Sequence, residues 1–277
     1  MVLAPDEHAF RLIPPRGREV PIVVEVPHAG LDVPLDDGAE MDFTPADVLR
    51  DADAWVDALW QDAPSHGATA LVANISRYVV DLNRDEDDVD ALTVAGIARR
   101  ATQPRGVIWR ETGDGRPLLR APLSRDAYAR RIARYYTPYH AALASTMRAL
   151  HARHGRVLLL AAHSMPSSSR LGAGARRASV VPGTRGRTTA HGALIDAVAA
   201  HFSAAGLSVR HDEPYRGGAT TARWGLPQRG FHAIQIELNR ALYMDEATVS
   251  PRDAQLAWLR ARCAELIPRL AALLDSI

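Results

Sequence analysis

Two segments of the chain are apolar almost without a break, "VPIVVEV" at residues 20–26 and "RVLLLAA" at 156–162, and a third, "HAIQIEL" at 232–238, is largely apolar. A strand with one wet face alternates apolar and polar side chains. Runs as continuous as these belong to strands covered on both faces. "ATALVANI" and "YVVDL" read as shorter strands. Between the strands, apolar residues recur at helical spacing in "TPADVLRDADAWVDALWQDA", from Ser124 to Gly155, in "ALIDAVAAHFSAA" and in "SPRDAQLAWLRARCAELIPRLAALL". Strands alternating with helices predict an α/β sandwich whose sheet is covered on both sides.

Local signals place the boundaries. Thr44 is the expected N-cap of the first helix, Pro45 fills its first turn and Asp47 completes a variant capping box. The second helical stretch should be interrupted near Pro138 and stop at Gly155, and the last should break near Pro268. Residues 166–187 and 213–230 read as long loops, which in a compact domain are more often lids or binding loops than linkers. No repeat or linker divides the chain, so residues 1–277 are expected to form one domain.

Composition excludes several chemistries. All 33 basic residues are arginine, so neither a P-loop lysine nor a pyridoxal Schiff base can be built. Arginine does hold planar carboxylates with two parallel hydrogen bonds. The net charge of +1 gives no nucleic-acid footprint. Cys263 is the single cysteine, expected as a core residue of the last helix. "MVLAPDEHAFRL" lacks the pattern of a signal peptide, and no run is long enough to span a bilayer. A cytoplasmic protein without a membrane partner is the expectation.

Two of the buried strands end alike, in "VPHAG" and in "AAHSMPS". His28 and His163 are thereby delivered to the carboxyl edge of the sheet, where α/β proteins bind ligands. Either histidine alone reads more simply as a packed, hydrogen-bonded residue. Their recurrence favours a shared divalent metal, for which imidazole suits zinc. Asp53 is the candidate third ligand, because Leu49 and Val56 set it at the edge of a helical apolar stripe. An Asp–Arg ion pair is the competing reading there. Asp57 is a fallback, and Glu25 and Asp32 are weaker candidates.

Glu237 alternates with Ile236 and Leu238 near the end of its strand, and a carboxylate beside a metal-bound water can serve as base. The competing reading is an exposed strand face. "SRYVVDLNRD" supplies Arg77, Asn83 and Arg84 as a possible carboxylate clamp, and "YRGGATTARWG" adds Arg223 in a flexible loop. A serine hydrolase on Ser164 is disfavoured, since "HSMPS" lacks the glycine-flanked elbow.

Taken in order, "VPHAG", "DADAWVDALW", "SRYVVDLNRD", "PYHAAL", "HSMPS", "YRGGATTARWG" and "IQIELNRALYMDE" resemble the N-formylglutamate amidohydrolase family over residues 20–246. The resemblance implies a zinc-dependent hydrolase with a metallocarboxypeptidase-like, three-layer α/β/α fold around a mixed sheet. It implies His28 and His163 as zinc ligands, with Asp53 fitting the family's aspartate-bearing helix, and Glu237 as general base. Asn83 and Arg84 become carboxylate binders, with Arg77 and Arg223 supporting the substrate or the oxyanion. Two positions depart from the pattern. Leu31 stands where metallocarboxypeptidases place a zinc carboxylate, and Ala161 where family members often carry an acid.

The expected reaction is hydrolysis of N-formyl-L-glutamate, or a close N-acyl acidic amino acid, to formate and the free amino acid. The alternatives are a carboxypeptidase-like peptidase, another N-acyl-amino-acid deacylase, or a non-catalytic binder of acidic metabolites.

Overall fold

The computed structural model describes residues 8–98, 104–168 and 176–277. Its six-stranded sheet comprises β1 (Phe10–Ile13), β2 (Ile22–Val26), β3 (Thr69–Ala73), β4 (Val157–Met165), β5 (Val180–Gly183) and β6 (Phe231–Asn239), in the order β1-β3-β2-β4-β6-β5. The helices are α1 (Leu35–Gly38), α2 (Pro45–Asp51), α3 (Val56–Trp60), α4 (Arg125–Arg131), α5 (Thr137–His154), α6 (Gly192–Ala204), α7 (Ala219–Trp224) and α8 (Asp253–Ser276). This is the mixed α/β architecture that the apolar strands predict. None of the described helices is long and apolar enough to cross a membrane.

Packing divides the chain into two compact units, each assembled from separate segments. One consists of Leu12–Val26, Trp55–Leu71 and Ser145–Ile277. Every residue of β2, β4 and β5 is buried, as the near-continuous apolar runs of β2 and β4 require. β2 and β4 run parallel with Glu25 opposite Ala161, and β4 and β6 run parallel with His163 opposite Glu237. β5 is antiparallel to β6, which makes the sheet mixed. Helices α3 and α6 both pack on α8, while α7 lies against β4 and β6. Cys263 is buried in α8, where desolvation pushes its thiol up, as a core role demands.

The other unit contains Pro27–Ala54 and Val72–Ala144. Its α4 carries Arg131, which is fully buried. The guanidinium lies 3.2 Å from Asp37 and 2.9 Å from Glu40 and donates to the Val79 carbonyl, while Tyr135 donates its hydroxyl to Asp37. A buried cation survives only with partners of this number and quality.

Local expectations fare unequally. Thr44 and Asp47 form the capping box, Ser124 caps α4, and the interruption before Pro138 is a π-helical turn at Ile132–Tyr136. The helix expected over residues 45–62 is instead two, α2 and α3, separated by an extended Ala52 and a left-handed Trp55. Tertiary bonds decide this: the Trp55 indole donates to the Val249 carbonyl and the Asp53 N–H to the His28 carbonyl.

"YVVDL" is not a strand. Tyr78, Val79 and Val80 are buried in a turn closed on the Ser76 carbonyl, and a short apolar run does not distinguish the two. α8 does not break at Pro268. Burial of Leu266, Ile267, Leu270 and Ala271 around it outweighs the roughly 3 kcal/mol that an interior proline costs. The loop expected over 213–230 contains α7, and that over 166–187 contains β5; residues 169–175 of it, and residues 1–7, lie outside the described residues.

Candidate metal centre

The turn after β2 has a steric reason for its small residues. A Cβ at Gly30 would lie 2.4 Å from the carbonyl carbon of Asn74, so only glycine permits this approach. The two backbones are held by Asp32 N–H to the Asn74 carbonyl and Ser76 N–H to the Asp32 carbonyl, both 2.9 Å. His28, two residues earlier, is buried. Its Nε2 is 2.7 Å from Asp81 Oδ1, and its Nδ1 is 3.5 Å from Asp53 Oδ2.

Asp53 sits in the break between α2 and α3, not on the helical face that periodicity suggested. It is buried, and Arg77 lies 3.8 Å from it, so the ion pair weighed against ligation is present as well.

Asp81 is the organising residue that sequence reasoning missed, beyond its place in "SRYVVDLNRD". Fully buried, it accepts from His28 Nε2, from Arg77 Nη2 at 2.9 Å, from Trp109 Nε1 at 3.0 Å and from the Asn83 backbone at 3.0 Å. Burial would raise its carboxyl, but His28, Arg77 and Arg84 hold it well below the usual carboxylate range. Burial and Arg77 disfavour charge on His28, yet Asp81 and Asp53 outweigh them and raise it. With an ionised Asp81 accepting, Nε2 is the donor, and Nδ1 is the nitrogen turned toward Asp53.

The other expected polar residues are dispersed around this carboxylate or elsewhere. Arg77 stacks on Trp109 with its guanidinium carbon 4.5 Å from the ring centroid. Asn83 is buried, and half-buried Arg84 has its carbonyl taken by the Tyr136 hydroxyl. Arg223 is exposed on α7, not in a loop.

On β4 and β6, His163, Ser164 and Glu237 are buried, so Glu237 does not lie on an exposed strand face. Ser164 accepts from Arg240 Nε at 3.1 Å, and Gln235 Nε2 donates to Glu237 Oε1 at 2.7 Å. Ala161 pairs with Glu25 on β2 and with Gln235 on β6.

The register that sets Glu25 beside Ala161 brings the next residues of both strands to one edge. There His28, Asp53 and His163 each offer one ligand atom, and these atoms lie within 4.8 Å of one another. Two imidazoles and a carboxylate, all buried, are a donor set of the kind that zinc accepts. Asp57, Glu25 and Asp32 are not part of the group.

The family model of N-formylglutamate amidohydrolase matches residues 20–244. The chain belongs to this family. Among its relatives, the N-formylglutamate deformylase of Pseudomonas aeruginosa is 34% identical, over 93% of this chain and 94% of that one. The N-formylglutamate deformylase of Pseudomonas putida is 29% identical over 83% and 84% of the two chains. The crystal structure of N-formylglutamate amidohydrolase from Ralstonia eutropha JMP134 superposes with a TM-score of 0.89 at 33% identity, covering 97% of this chain and 99% of that one. In this member of the N-formylglutamate amidohydrolases, the His/Asp/His group therefore stands within a fold shared along nearly the whole chain.

Proposed function

We propose that this family member hydrolyses the amide of N-formyl-L-glutamate, or of a close N-acyl acidic amino acid, releasing formate and the free amino acid. The observation that carries this reading is the buried His28–Asp53–His163 group in a chain of this family. Those three residues would hold a divalent cation, zinc by the chemistry of the donors. Bound there, the cation would acidify a water and polarise the formyl carbonyl.

The remaining steps fall to side chains. Glu237 accepts the proton of the attacking water and returns it to the departing amine. Asn83 and Arg84 hold the amino acid's carboxylate, and Arg77 and Arg223 support the substrate or the oxyanion. We read residues 1–277 as one catalytic domain of metallocarboxypeptidase-like fold. Neither compact unit is continuous in sequence, and the family match runs through both.

The test is formate release from N-formylglutamate, run beside N-acetylglutamate and dipeptides on protein whose metal content is measured. Formate release that stops on chelation and returns with zinc is the expected outcome. Turnover of the dipeptides alone would point to a peptidase, and binding without turnover of any zinc-loaded sample to a metabolite binder.

Asp81→Asn probes the orientation of His28. An amide can turn its NH2 toward Nε2 and no longer fixes the ring, so zinc affinity is expected to drop by about 10- to 100-fold. Competition with a chromogenic chelator measures it, and an unchanged affinity would remove Asp81 from this role.

A further inference from the structure

β5 ends at Gly183, which lies opposite Gln235 in the antiparallel pair with β6. The segment Tyr215–Gly218 passes directly over that glycine. A Cβ at Gly183 would lie 2.7 Å from the Gly217 nitrogen and 3.0 Å from the carbonyl carbon of Arg216. Gly217 itself has φ +99°, a conformation that side chains rarely adopt. Both glycines thus serve one end, bringing the backbone of the next residue down onto β6. There the Gly218 N–H donates to Gln235 Oε1 at 2.8 Å.

That contact fixes the amide. A backbone N–H can only donate, so the oxygen of Gln235 must face it, and Nε2 must face the other way. On that side stands Glu237, whose Oε1 accepts from Nε2 at 2.7 Å. Gln235 and Glu237 are 4% and 5% exposed, so water does not compete freely for either bond.

We propose that Gln235 is a positioning residue for hydrolysis. It holds one oxygen of Glu237 in place and ties the placement of the base to the glycine-rich segment that leads into α7. The proposal rests on Glu237 acting as the general base. A carboxylate free to rotate would spend less time aimed at the attacking water, so the loss falls on the chemical step and not on substrate binding.

The experiment is a double-mutant cycle on zinc-loaded protein with N-formylglutamate. Gln235→Met keeps the length of the side chain and removes the hydrogen bonds to Gly218 and Glu237. It is expected to lower kcat by about 10- to 100-fold, the scale of a hydrogen bond to a charged group, with KM nearly unchanged. In a Glu237→Gln background the same change should cost almost nothing more, since its target is already disabled. Equal fractional losses in both backgrounds, or an effect confined to KM, would overturn the proposal.

The underlying reading fails separately, through near-normal kcat in the Glu237→Gln single variant. If Gln235→Met does not fold, Gln235→Asn serves, being polar but too short to span both contacts. Its expected loss is the same, and full activity in it would overturn the proposal equally.

Discussion

Glu237→Gln is expected to lower kcat about a thousandfold while leaving bound zinc and the folded state intact, a loss of about 4 kcal/mol of transition-state stabilisation. The substitution is informative because so little else changes. Glutamine has the same shape, and its carbonyl oxygen can still accept from Gln235 Nε2, so the side chain stays where Glu237 lies. What disappears is the capacity to accept a proton. KM should move little if Asn83 and Arg84 hold the substrate carboxylate as proposed. Steady-state formate release with metal analysis of the same sample decides the matter. A variant that retains most of its kcat would free Glu237 from the mechanism and shift the search for the base elsewhere.

The second large effect is expected from His163→Ala. The proposed centre has three protein ligands, and loss of one should weaken zinc binding by far more than the 10- to 100-fold typical of changes in the surrounding shell. Activity should fall to background at ordinary zinc concentrations. Stability supplies a readout independent of turnover. A ligand present at about 100 times its Kd stabilises the folded state by about 2.7 kcal/mol. Zinc should therefore raise the melting temperature of the unmodified protein and leave that of His163→Ala where it was. A variant that still binds zinc stoichiometrically and tightly would refute ligation by His163.

The parts of the fold that could be read from sequence are those decided by local burial. β2 and β4 are legible because a strand covered on both faces is apolar along nearly all its length, and β6 because Ile234, Ile236 and Leu238 recur at strand spacing. The ends of the α4–α5 stretch are legible because Ser124 and Gly155 satisfy helix termini by their own chemistry. The break at Ala52–Trp55 is not, because its cause is a carbonyl at Val249 and another at His28, both remote in sequence.

The candidate site follows the same division. His28 and His163 stand out because each follows a run of apolar residues at the sheet edge, and the geometry gathers them with Asp53. Helical periodicity points to Asp53 for a reason the structure does not bear out, since no helix runs through that point. Asp81 gave no signal of its own. Its importance comes from Trp109 and Arg77 as much as from His28, and no spacing rule connects those four residues.

The discontinuity of the two compact units has a consequence for recombining this chain with its relatives. Because each unit is stitched together from separate stretches, a single crossover in the gene transfers neither of them whole. Any such hybrid inherits interior packing from two parents inside the same unit. Exchange at all five junctions, beside Arg11, Val26, Ala54, Leu71 and Ala144, is what keeps each parent's interior together.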